Sequence, residues 1–175
     1  MGEAMALLIP ELICETVYDI PLSFFTDRGI KLLLLDIDNT LVTYDDEYPI
    51  EKNLSWFSDL EKVGISVAFV SNNHKERVEK YASRTGFPYF ADAGKPSAKY
   101  YKEAMRAHSL QPSECAGVGD QIFTDVLAAH RAGCIGVLVS PIKDKENAFF
   151  RFKRACEKPF VAAYHKKRKK EVKSK

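Results

Sequence analysis

Hydrophobic residues along this chain keep two rhythms that alternate. Lys31–Asp36 carries four leucines in a row, and Ile65–Val70, Cys115–Gly119 and Gly136–Val139 are similarly short and apolar. Runs of that kind predict strands buried on both faces, as in the middle of a parallel sheet. Tyr89–Ala91 predicts a further, brief strand. Between the runs, apolar residues recur at helical spacing. One stripe is Leu54, Phe57, Leu60 and Val63, stopped by Gly64; another is Val78, Tyr81 and Ala82, running to Gly86; a third segment spans Ser97 to His108. Pro21 suits the first turn of an earlier helix that ends at Gly29. Strands alternating with helices predict an α/β chain with a five-stranded, doubly wound, Rossmann-like parallel sheet. Residues 43–50 are polar and read as a flap or loop.

The residues that stop these strands carry chemistry. The first strand ends in Asp36-Ile37-Asp38-Asn39-Thr40, and unpaired buried carboxylates are costly enough that a sheet core has no reason to end so. The second ends in Ser71-Asn72, a hydroxyl and backbone amides suited to phosphate oxygens. Lys95 follows the third strand, and Asp120 and Asp125 follow the fourth. In a parallel sheet these ends share one edge, where ligands bind. Asp36, Asp38 and Asp120 form a hard oxygen cluster of the kind Mg²⁺ prefers, and Lys95 offsets part of its charge. Taken singly, Ser71 also reads as a strand-end cap, Lys95 as a solvated loop lysine and Asp125 as a helix cap. His74 reads as a solvent-facing helix start, and Arg77 and Lys99 as residues of the pocket rim.

The order Asp-x-Asp-x-Thr, Ser, Lys, Gly-Asp-x-x-x-Thr-Asp resembles the haloacid dehalogenase-like (HAD) phosphatases from Lys31 to Val139. The resemblance implies a three-layer fold and a set of roles. Asp36 would be the nucleophile that forms an aspartyl-phosphate. Asp38 would be the acid and base, its backbone carbonyl helping to hold Mg²⁺. Asp120 would be a metal ligand and Asp125 a supporting acid, while Ser71, Asn72 and Lys95 would bind the phosphate. The spacing from Asp38 to Ser71 and on to Lys95 leaves no room for a cap domain. An uncapped pocket favours a substrate that is large or embedded in a surface. Ile9-Pro10-Glu11-Leu12, Tyr18-Asp19-Ile20, Val70–Asn73 and Gly119–Val126 further resemble the YqeG-type branch, whose relatives include phosphatidylglycerophosphate phosphatases. Ala93-Gly94-Lys95-Pro96-Ser97 departs from that branch, which often has a second basic residue beside the lysine.

Charge adds a partner question. The net charge of +2 hides 13 Lys/Arg against 4 Asp/Glu from Lys143 onward, on an otherwise acidic chain. The expected divisions are an N-terminal segment (1–30), a catalytic core (31–142) and a basic C-terminal helix and tail (143–175). On a helical wheel Phe149, Phe152, Cys156, Phe160 and Ala163 share one side, with Arg151, Arg154 and Lys158 opposite, and Pro159 is expected to break or kink the helix. The Phe side packs on the body in one reading, with a disordered tail. In the other, the basic run Lys166–Lys170 draws the protein to an anionic membrane surface, which suits a lipid head group as substrate. Nucleic-acid ends, phosphoproteins, or simple binding to nucleic acid or the ribosome are the competing partners. No apolar run approaches the roughly 20 residues of a membrane span. The acidic N-terminus and four scattered cysteines fit a cytoplasmic protein that lies on the inner face of the membrane.

Overall fold

The computed structural model describes the backbone of residues 3–143 and 148–173 and the side chains of 5–143 and 151–170. Its centre is β2 (Leu32–Leu35), whose four leucines are fully buried. Parallel neighbours flank it on both sides: β3 (Ser66–Val70) and then β4 (Tyr89–Phe90) on one, β5 (Cys115–Gly119) and then β6 (Ile135–Val139) on the other. A sixth strand, β1 (Leu12–Cys14), follows a short first helix, α1 (Glu3–Ala6), and pairs in parallel with β6. The sequence predicts five strands and leaves this N-terminal segment outside the sheet. Glu11 secures this strand's start: its N–H donates to Gly136 O (2.9 Å) and its Oε2 accepts from Gly136 N (2.7 Å).

Alternate side chains of each strand enter separate cores, as the period of two requires. Leu33, Leu35, Val67, Phe69 and Val118 meet Phe25 of α2 (Leu22–Thr26), Trp56, Phe57 and Leu60 of α3 (Glu51–Lys62), and Val78 and Tyr81 of α4 (Lys75–Ala82). Leu32, Leu34, Ala68 and Val70 meet Tyr101, Ala104 and Met105 of α5 (Lys99–Ala107), with Ala128, Ala129 and Ala132 of α6 (Leu127–Ala132). Helices on both faces of a parallel sheet make the three-layer α/β fold that the sequence predicts. The stripe of α3 is rotated from the expected one: Leu54 and Val63 are exposed, while Asn53 and Trp56 are buried. Asn53 is drawn inward by partners outside its helix, donating through Nδ2 to Leu41 O (3.0 Å) and Tyr18 Oη (2.7 Å).

The last helix, α7 (Ala148–Lys173), is continuous and turns a different face inward from the expected one. It runs through Pro159. Ala155 and Pro159 both lie on the exposed side, so the carbonyl that the proline leaves unpaired is open to water. Its inward face holds Arg154, Glu157, Phe160 and Tyr164, whereas Phe152 is 68% exposed. Phe160 stacks edge-on against Phe123 and joins Ile122, Val126 and Leu138 in a third apolar cluster. Arg154 faces inward because the acidic strand ends supply it with partners. The Phe149 side chain lies outside the described residues. Lys166–Lys170 is helical and exposed rather than a disordered tail. Cys115 and Cys134 are buried, Cys14 and Cys156 half-buried, and none forms a disulfide.

Candidate active site

The carboxyl ends of β2, β3 and β5 open into one cleft of about 270 Å³, lined by Asp36, Asp38, Ser71, Asn72, Lys95 and Asp125 among others. Gaps in the chain do not hold an inserted domain: residues 39–70 form the flap, α3 and β3, and residues 71–95 form α4 and β4.

Asp36 extends β2 and is 7% exposed. Its Oδ1 accepts from Lys95 Nζ at 2.6 Å, and its Oδ2 accepts from Thr40 Oγ1 at 3.2 Å. Lys95 Nζ also lies 2.7 Å from Asp125 Oδ1, so one buried ammonium bridges two buried carboxylates. Asn72 positions that lysine through its backbone, with Nδ2 donating to Lys95 O (3.1 Å) and Oδ1 accepting from Lys95 N (2.6 Å). Asp125 reaches the lysine because residue 119 is glycine. A Cβ there would come within 2.3 Å of Asp125 Cγ. Ser71 is buried at the end of β3, and its Oγ accepts from Asn73 N (3.0 Å).

Asp38 sits differently. Its Oδ1 pairs with Arg77 Nη2 at 2.9 Å and its Oδ2 accepts from Asn73 Nδ2 at 3.0 Å. Arg77 also donates to Asp46 O (2.6 Å), tying Asp38 to the flap. Asn39 turns the chain between Asp36 and the flap at φ 70°, a left-handed value that asparagine tolerates better than most residues. Its amide grips the segment after β6, donating to Lys143 O (2.8 Å) and accepting from Lys143 N (3.1 Å). His74 and Lys99 are exposed.

Carboxylate oxygens of Asp36, Asp120 and Asp125 lie within 4.8 Å of one another, and Asp38's carboxylate stands outside that group. Burial raises the pKa of Asp36 first, against the pull of Lys95, and neighbouring Asp125 and Asp120 raise it further. Asp120 is also raised, by burial and then by Asp125, while Arg154 opposes. Lys95 is raised despite its burial, because Asp125 and Asp36 flank it. The array therefore holds more negative charge than its cations offset. Hard oxygen donors with a shortage of positive charge fit Mg²⁺.

Sequence reasoning missed four contributors. Arg154 of α7 pairs through Nη2 with Asp120 Oδ2 (2.5 Å) and through Nη1 with Asp120 O and Glu157 Oε2. Buried Glu157 accepts from Ile122 N at 2.8 Å. Lys153 and the flap residue Tyr44 line the cleft, and Lys153 donates to Gln121 Oε1. Glu157 carried a signal: it is the one acid from Arg151 to Lys170, set three residues after Arg154.

The chain is 31% identical over 159 residues to a protein of Bacillus subtilis named "Probable phosphatase YqeG", an overlap of 91% of this chain and 92% of that one. The HAD-hydrolase-like family profile matches residues 92–148. Among solved structures, a hypothetical protein from Xanthomonas campestris superposes with a TM-score of 0.53 at 20% identity, covering 76% of each chain. The cobalt-bound deoxy-D-mannose-octulosonate 8-phosphate phosphatase of Haemophilus influenzae superposes with a TM-score of 0.50 at 16% identity, covering 79% of this chain and 91% of that one. At those identities the two structures speak for the fold.

Proposed function

The chain belongs to the YqeG family of HAD-like proteins, and we propose that it is a Mg²⁺-dependent phosphomonoesterase working through an aspartyl-phosphate on Asp36. The observation that carries this reading is the buried Asp36–Lys95–Asp125 array on the floor of the cleft. Asp36 attacks phosphorus while the bond from phosphorus to the leaving oxygen breaks. Asp38 gives that oxygen its proton, then takes one from the water that attacks the acyl phosphate and restores Asp36. Lys95, the Ser71 hydroxyl and the Asn72 backbone amide hold the phosphate oxygens. Asp36, Asp120 and the Asp38 carbonyl would hold Mg²⁺, with Asp125 in support, and the ion would there supply positive charge to offset that of the phosphate. Arg77 fixes where the Asp38 carboxylate points.

The proposed substrate is phosphatidylglycerophosphate, which would become phosphatidylglycerol at an anionic membrane surface. A cleft without a cap and a helix with exposed Lys166–Lys170 and Phe152 support it. In a panel with Mg²⁺, phosphatidylglycerophosphate in anionic vesicles should turn over faster than phosphorylated RNA ends or phosphopeptides, and excess chelator should abolish all turnover. Neutralising Lys166–Lys170 to glutamine should weaken vesicle binding, most of all at low salt, because exposed charges are screened within about 8–10 Å at ordinary ionic strength. Preference for RNA ends, or vesicle binding indifferent to the basic run, would contradict the lipid assignment.

A further inference from the structure

We infer that Lys153 is a specificity residue that recognises a second anionic group, carried on the leaving alcohol of the phosphomonoester. The inference rests on the phosphatase reading above. Cations around the cleft are otherwise committed to carboxylates: Lys95 to Asp36 and Asp125, Arg77 to Asp38, and Arg154 to Asp120 and Glu157. Lys153 lines the cleft, yet among the described residues its hydrogen-bond partner is the neutral Gln121 Oε1 and no carboxylate pairs with it. An ammonium held by an amide keeps its full charge and two further donors for a ligand. Lys153 is half-buried whereas Asp36 and Lys95 are buried, so it stands outward of the reacting phosphate, where the leaving alcohol must lie. It is also aimed. Gln121 follows Asp120 directly and donates through Nε2 to Asp120 Oδ1 at 3.3 Å, while the next residue of α7, Arg154, grips the same aspartate. The last helix thus gives the cleft a wall that no cap domain provides, and among its described residues Lys153 is a cation at the cleft that no carboxylate pairs.

The chemistry selected is a phosphomonoester with a phosphodiester or carboxylate a few bonds from the ester oxygen. A lipid head group with two phosphates and a 5′-phosphorylated nucleic-acid end both satisfy it. The test compares wild type, Lys153→Gln and Lys153→Arg on three soluble probes: glycerol 3-phosphate, glycerophosphoglycerophosphate and a 5′-phosphorylated dinucleotide. Each is followed by turnover and by calorimetric binding, with melting recorded for every variant. Wild type should prefer glycerophosphoglycerophosphate to glycerol 3-phosphate. Lys153→Gln should shrink that preference about tenfold, mainly through KM, as loss of one charge-assisted hydrogen bond predicts. Lys153→Arg should retain most of it. A preference over glycerol 3-phosphate that survives Lys153→Gln with both doubly anionic probes, or an equal loss on all three probes, overturns the inference. Lys153-dependence seen with the dinucleotide alone keeps the role and overturns the lipid source. Absence of turnover by wild type sinks the phosphatase reading, while the binding comparison still decides the role of Lys153.

Discussion

At residue 119 the absence of a side chain is what lets Asp125 pass under the end of β5 to reach Lys95. Gly119→Ala should therefore cost about 1–3 kcal/mol through overpacking and lower turnover at least about tenfold by displacing Asp125. Urea unfolding beside a turnover assay checks both, and an alanine variant with native midpoint and rate would contradict the geometry. A second residue pair sets a pH dependence away from the cleft. His130 donates through its Nδ1–H to Leu7 O (2.7 Å) and meets Glu11 Oε2 (2.9 Å) through Nε2. Burial opposes the charged imidazole, but the Glu11 hydrogen bond and charge prevail and its pKa is raised above 6.5. Burial likewise opposes the charged Glu11, but His130 and the Gly136 N–H prevail and its pKa is lowered below 4.5. The raised histidine stabilises fully below 6.5 and its contribution is lost as pH rises through its folded value. The lowered glutamate stabilises above 4.5 and its contribution is lost as pH falls through its own. The pair is thus complete from pH 4.5 to 6.5, and modest in size because Glu11 is 38% exposed. Between pH 5.5 and pH 8.5 wild type should lose more stability than Glu11→Gln; parallel urea midpoints would refute the coupling.

Among the elements, α7 joins the site through Arg154 and Glu157 rather than through its phenylalanines. Arg154→Met should destabilise the metal-free protein by about 1–3 kcal/mol, because it leaves Asp120 and Glu157 without their cation. Saturating Mg²⁺ should return part of that loss by neutralising Asp120, while Lys158→Met, on the exposed side of the same helix, should change little. Melting curves with and without Mg²⁺ decide it; an Arg154→Met loss untouched by Mg²⁺ would separate Asp120 from the metal. The reason α7 was misread in sequence is physical. Helical periodicity ranks apolar positions, and this helix is oriented by an ion pair to a distant strand end. The same limit hid Asn53, whose partners are Tyr18 and Leu41. β1 escaped because it lies in the N-terminal segment, ahead of the alternating strands and helices, and pairs with the distant β6. What was legible was whatever a strand writes locally: four leucines ending in Asp36, Val70 ending in Ser71, Gly119 ending in Asp120. The strand ends then had to converge, because parallel strands share one edge.

For the whole molecule, the sheet gathers acidic strand ends at one edge, and α7 brings cations from the basic end of the chain to meet them. Lys153 and Arg154 face that edge, while Lys166–Lys170 remain exposed on the same helix. A single helix therefore carries both the cations at the cleft and the exposed basic run. The covalent step at Asp36 is open to direct chemical trapping. Wild type mixed with Mg²⁺ and an aryl phosphate should be quenched during turnover, and borohydride used to reduce any acyl phosphate to an alcohol, marking the aspartate for peptide mass analysis. The mark should fall on Asp36 alone, at a level that rises with substrate and falls on chelation, and a folded Asp36→Asn protein should show neither mark nor turnover. Turnover by that variant, or wild-type turnover with the mark elsewhere or absent, would contradict the covalent step.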